Sequence, residues 1–163
     1  IAGSHGAGGE IGHAHVIDGM QEACNCGNHG CLEQYISEPA VLSRYRELSG
    51  RTTVSIDDLV WSYNQKEADA LAVVDEFTTY LACGINNLWN LFSPECIILN
   101  SQLTAYLPQL LPEILQKLSA RFRATCQLKL STLQDTGVLL GAARVCISKY
   151  LGIEKLYFSG FQP

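Results

Sequence analysis

Cys24, Cys26 and Cys31 crowd into eight residues, and His13 precedes them by a short glycine-containing stretch. Thiolate sulfur and imidazole nitrogen are the donors zinc prefers, and three cysteines with one histidine complete a tetrahedral set of the structural type. Gly27 and Gly30 fall between the cysteines, where the backbone must curl for three thiols to converge. The surrounding loop has little apolar content to bury, so it cannot order itself by packing. Metal binding, worth on the order of 10 kcal/mol in small zinc domains, supplies what such a loop lacks. The expectation is a structural zinc site of His13, Cys24, Cys26 and Cys31. A filled shell leaves no place for a metal-bound water, so this zinc would hold structure and not catalyse.

Other assignments compete at two points. His15 lies two residues from His13 and shares its face if His13 to Ile17 is a strand, so the fourth ligand stays open between them. His5 and His29 fit the spacing less well and read as solvent-facing loop residues. Cys24 and Cys26 as a redox pair would have one intervening residue, not the two of thioredoxin-like motifs. The remaining cysteines, Cys83, Cys96, Cys126 and Cys146, sit among apolar neighbours and read as small core residues. Seven cysteines, an odd number, do not form the dense even framework of a small secreted domain, so a cytoplasmic setting is expected.

Elements that position this knuckle follow from the pattern downstream. A turn at Gly19 and a single helical turn over Leu32 to Ile36 flank it. Pro39 opens a helix through Leu48 that Gly50 stops. Ser55 with Asp58 resembles a capping box for a helix over Ile56 to Tyr63. Leu71, Val74, Phe77, Leu81, Ile85, Leu88 and Phe92 recur at helical spacing, and Pro94 ends that long helix. The apolar run Ile97 to Leu99 predicts a strand covered on both faces. Leu107 to Leu118 predicts another amphipathic helix, Gln127 to Ser131 a strand, and Asp135 a cap for a last helix over Thr136 to Tyr150. Strands alternating with helices indicate an α/β architecture. The leucine-rich Leu103 to Leu118 segment and the Leu71 to Phe92 helix carry broad apolar faces, from which a homodimer or tetramer is expected.

Composition sets the outer bounds. The chain has 163 residues, 47% of them apolar, and a net charge of −5. That suits one domain with an ordinary core and opposes gripping the phosphate backbone of DNA or RNA. No apolar run reaches the roughly 18–20 residues of a membrane helix, so no membrane partner is expected. The opening at Ile1, inside a glycine-rich turn, reads as a piece of a longer protein.

Gly8-Gly9-Glu10-Ile11-Gly12-His13, with Cys24-Asn25-Cys26-Gly27-Asn28-His29-Gly30-Cys31-Leu32-Glu33, closely resembles the signature of the ROK family of sugar kinases and sugar-responsive repressors. The likeness is most specific in residues 6–33. It continues more loosely through Asn90 to Pro94 and Gly141 to Ala143. It implies an actin-like (ribonuclease-H-like) α/β fold, with residues 1–163 forming most of the C-terminal lobe: a glycine-rich segment and knuckle over 1–33, helices and strands over 34–163. It also implies that His13 serves both zinc and sugar, and that Glu10 and Glu33 accept hydrogen bonds from sugar hydroxyls. Carboxylates are suited to that role.

Within the family, kinases need a phosphate-binding loop and a catalytic aspartate, and neither is matched in these residues. The strand over Ile97 to Leu99 runs into Asn100-Ser101-Gln102, where kinases usually have glycines that let the nucleotide approach. The expectation is therefore no enzymatic activity. The chain would be the sugar-sensing and oligomerisation part of a transcriptional repressor, binding a sugar or sugar phosphate and reaching DNA only through an upstream helix-turn-helix domain. The C-terminal lobe of an ATP-dependent sugar kinase is the competing expectation, and a stand-alone metal-stabilised interaction module is a third.

Overall fold

The computed structural model describes residues 4–6, 8–17, 23–133 and 136–153, so the turn expected at Gly19 and the cap expected at Asp135 lie outside the described residues. After a 3-10 turn at Ile11–His13 come α1 (Glu33–Ile36), α2 (Glu38–Ser49), α3 (Ile56–Asn64), α4 (Ala68–Phe92) and β1 (Cys96–Leu99). Then follow α5 (Gln102–Tyr106), α6 (Leu110–Lys117), α7 (Ala120–Thr125), β2 (Gln127–Leu130) and α8 (Thr136–Leu151). No helix among the described residues is long and apolar enough to cross a membrane.

Local signals fix the helix ends. Ser37 caps α2 by accepting from the Ala40 amide, with Pro39 in the first turn, and Gly50 closes the helix in the left-handed region at φ 66°. The capping box of α3 is complete: the Asp58 amide donates to Ser55 Oγ at 3.2 Å, and the Ser55 amide donates to Asp58 Oδ2 at 2.8 Å. Hydrogen bonds from the Ser55 hydroxyl and then its amide hold the Asp58 carboxyl below its ordinary range. Ser93, left-handed at φ 45°, ends α4 just before Pro94.

The core surrounds α4. Its buried face, including Val73, Val74, Phe77, Ile85 and Trp89, joins Tyr45 of α2, Leu59 of α3, Leu110 and Ile114 of α6, and Phe122 of α7 in one cluster. Tyr45 brings its hydroxyl inside and donates to Ser62 Oγ at 2.8 Å, so the buried pair is mutually satisfied. β1 and β2 run parallel, with Cys96 opposite Gln127 and Leu99 opposite Leu130.

Several expectations change in three dimensions. The segment expected as a strand, His13 to Ile17, is the end of the 3-10 turn followed by one antiparallel bridge, His15 to Cys31. The single leucine-rich helix is divided, because Pro108 disfavours helical geometry at Leu107, whose φ and ψ are −121° and 66°. Leu107, Leu110, Ile114 and Leu118 nevertheless all turn inward, so the periodicity reported burial faithfully and helix continuity poorly. Those four side chains belong to the chain's own core. Within the described residues Cys96 and Ile98 of β1 are exposed, Ile98 by 64%, while Ile97 and Leu99 are partly buried. Of the four scattered cysteines, only Cys126 is buried; Cys83 is intermediate, and Cys96 and Cys146 are exposed.

Candidate metal centre and the groove beside it

The knuckle is assembled by backbone hydrogen bonds before any metal is considered. The 3-10 turn closes through His13 N–H to the Glu10 carbonyl at 3.0 Å. Two bonds then join this arm to the knuckle: Val16 N–H to the Gly30 carbonyl and Leu32 N–H to the Ala14 carbonyl, each 2.9 Å. Within the knuckle, Gly27 N–H donates to the Cys24 carbonyl at 2.8 Å and Cys24 N–H to the Asn28 carbonyl at 2.6 Å. Gly30 has φ 70°, and a Cβ there would fall 1.8 Å from the Ile17 carbonyl oxygen, so glycine is obligatory. Leu32, only 2% exposed, anchors the knuckle against α4. It seats over Gly84, where a Cβ would lie 2.6 Å from Leu32 Cδ2.

These bonds deliver four donors to one point. One donor atom from each of His13, Cys24, Cys26 and Cys31 lies within 4.8 Å of every other. Cys26 Sγ and Cys31 Sγ are 3.6 Å apart, and Cys24 Sγ is 3.5 Å from His13 Nδ1. Zinc–sulfur and zinc–nitrogen bonds of about 2.3 and 2.0 Å give tetrahedral edges of roughly 3.5–3.8 Å, so the donor set fits such an ion. The arrangement can hold a metal. His13, and not His15, faces the three thiols. His15 is exposed on the bridge to Cys31, with its ring Nε2 toward Gly30, and His5 and His29 are also exposed.

The thiols differ in acidity for local reasons. Burial first, and then the neighbouring Cys26 and Cys24, push the Cys31 thiol up to about 12. Cys24 is drawn down by the Cys26 amide, but burial and the Glu33 carboxylate outweigh this and leave it raised. Cys26 is lowered, chiefly by the Asn28 amide. Crowded thiols of this kind resist carrying charge together, and a cation among them removes that resistance.

Of the three residues expected at the sugar, the structure brings two side chains together. Glu33 opens α1, and its Oε1 lies 3.8 Å from His13 Nδ1 while accepting from Cys24 Sγ at 3.3 Å. Glu10 heads the 3-10 turn, linked to His13 through its backbone carbonyl, with an exposed side chain. Beside Glu33 a cavity of about 730 Å³ opens between α1, α2, α4 and the knuckle. Its walls carry Arg44, which donates to Glu76 at 3.0 Å and Glu47 at 3.2 Å, and the stacked rings of Tyr35 and Tyr80, 3.9 Å apart. None of these groove residues was legible from spacing. Gly84 was also overlooked, although a glycine inside a 25-residue helix costs about 1 kcal/mol and so signals a packing demand.

A family model described as the ROK family matches residues 1–149. The chain belongs to the ROK family. Its fold is the actin-like sugar-kinase fold of that family, here α/β with a small sheet. The ROK relatives divide between two activities. The xylose repressor of Bacillus spizizenii is 31% identical over 158 residues, covering 94% of this chain and 40% of the repressor. The N-acetyl-D-glucosamine kinase of Histophilus somni is 29% identical over 160 residues, covering 91% of this chain and 52% of the kinase. Solved structures divide likewise. A ROK hexokinase from Thermus thermophilus aligns with a TM-score of 0.73 at 25% identity, covering 91% of this chain and 51% of the other. A ROK family transcriptional regulator homologous to the E. coli MLC protein aligns with a TM-score of 0.71 at 26% identity, covering 94% of this chain and 42% of the other. The ROK chain thus spans about half the length of its relatives or less, and its backbone fits either branch.

Proposed function

We propose that this chain is the sugar-sensing and oligomerisation part of a ROK-family transcriptional regulator of the cytoplasm, with a structural zinc held by His13, Cys24, Cys26 and Cys31. The observation that carries the reading is the convergence of Glu33 and His13 on Cys24. In the thiol form Cys24 donates to Glu33. A cysteine that has given its proton up to hold a metal can no longer donate, and Glu33 is left to accept from another partner. The hydroxyls of a sugar are such donors, and charge-assisted acceptance by Glu33 and Glu10 suits them. His13 Nδ1 faces the thiols, which leaves Nε2 for the ligand.

The end of β1 favours regulation over catalysis. Asn100, Ser101 and Gln102 follow Leu99 directly, and Ser101 begins α5 with an extended backbone. Side chains stand at positions where the family resemblance implies that kinases have glycines. DNA contact falls to a segment outside these 163 residues, since the chain carries a charge of −5. Sugar binding would bias two arrangements of a homodimer or tetramer and so re-space the DNA-binding parts. Titration calorimetry of the full-length protein with D-xylose, N-acetyl-D-glucosamine and their phosphates tests this, with binding expected for at least one sugar and release of operator DNA on binding. No heat with any of them would overturn the sensing role.

The kinase reading has the Histophilus somni relative in its favour, at nearly the identity of the repressor. ATP-dependent phosphorylation of either sugar by the full-length protein would replace the regulator reading with it.

A further inference from the structure

The groove that begins at Glu33 runs on from the metal centre between α1, α2 and α4. Among the described residues its charged wall groups are Glu33, Glu47 and Glu76 against one guanidinium, Arg44. Arg44 already serves two of the carboxylates, at 3.0 and 3.2 Å, which fixes their orientation without exhausting their acceptor oxygens. The remaining balance is negative, so the groove disfavours an anion and favours a neutral ligand rich in hydroxyl donors. Tyr80 and Tyr35 stack on each other at 3.9 Å and both line the groove, and an aromatic side chain with a polar tip is suited to the C–H face and hydroxyls of a pyranose. At about 730 Å³ the space lies within the range that accepts drug-sized ligands and exceeds what one monosaccharide fills.

We infer that this groove is a second glycosyl subsite, so that the effector is a neutral oligosaccharide or glycoside whose first ring sits at Glu33 and His13 and whose next ring lies against Tyr80, Glu76 and Arg44. The inference rests on the sugar-sensing reading above, and Glu33 is the residue common to both subsites. It makes linkage and chain length, not only ring identity, the property that is sensed.

Calorimetric titration of the zinc-loaded, full-length protein with D-xylose against xylobiose, and with N-acetyl-D-glucosamine against N,N′-diacetylchitobiose, tests it. One disaccharide is expected to bind at least about tenfold tighter than its monosaccharide, a difference of about 1.4 kcal/mol. Ser43 also lines the groove, and Ser43→Trp should fill it and remove that advantage while leaving monosaccharide affinity unchanged. The near-isosteric Glu76→Gln should reduce the advantage in the same way, with circular dichroism confirming that both variants fold. Monosaccharide binding with no disaccharide advantage, or an advantage that survives Ser43→Trp, overturns the second subsite and leaves the sugar-sensing reading intact. No binding of any of the four sugars overturns both.

Discussion

The knuckle from Cys24 to Cys31 and the helical body around α4 are ordered by different forces. In the body, Tyr45, Leu59, Leu110, Ile114 and Phe122 are fully enclosed, and burying each such side chain is worth about 1.5–3 kcal/mol. In the knuckle, Cys24 and Cys31 are buried but Asn25, Cys26, Gly27, Asn28 and His29 are exposed, and the segment relies on backbone bonds to the 13–17 arm. One region is held by apolar area, which many side chains can supply. The other depends on a few donors in fixed geometry, which no substitution of similar size replaces. Leu32, seated over Gly84, joins the two regions.

Metal removal should separate the two most sharply. Structural zinc sites contribute on the order of 10 kcal/mol, so exhaustive chelation, or replacing Cys24, Cys26 and Cys31 together by serine, should disorder the knuckle and abolish sugar binding. Amide hydrogen exchange is expected to show lost protection around residues 24–32 with protection retained in α4. Uniform loss across both regions would break the comparison, and stoichiometric zinc in elemental analysis of the untreated protein is the companion result.

Phe122→Ala should cost about 3–5 kcal/mol in denaturant unfolding, because the emptied volume lies among Trp89 and other enclosed side chains. Its effect belongs to the body, and zinc content should be unchanged in the protein that remains folded. Gly84→Ala acts at the seam. The new methyl meets Leu32, and overpacking of this kind costs about 1–3 kcal/mol. It should lower both zinc affinity and thermal stability, and a variant that lowers neither would show that the knuckle is not seated through Leu32.

The smallest effect concerns the α3 cap. Ser55→Ala should lower stability by about 1 kcal/mol without altering metal or sugar binding. Asp58 adds a pH signature. Its folded carboxyl is held below its ordinary value of 3.8, so its contribution is present above that value and is lost as pH falls through the lower folded value. Thermal melts of the parent protein and Asp58→Asn should therefore converge in strong acid and diverge toward neutral pH.

Signals confined to neighbouring residues were fully readable in the sequence. The Ser55–Asp58 box, the Gly50 stop and the Ser93-Pro94 break follow from backbone chemistry within a few positions, and each is present. The four candidate metal donors were legible because their residue types are rare and their spacing short, and the structure brings them within 4.8 Å of one another. Tertiary structure alone decided matters that depend on distant partners. It set His13, and not His15, beside the three thiols, with His13 ending a 3-10 turn and His15 on the bridge to Cys31. Ile98 of β1 is exposed within the described residues, since an apolar run records a demand for cover and cannot say which segment supplies it. Tertiary structure also joined Arg44 to Glu76, 32 positions apart, and stacked Tyr35 on Tyr80 in the wall of the groove. Spacing along a chain fixes which groups are neighbours within a turn or two; packing of helices against one another fixes the rest, and the groove exists only there.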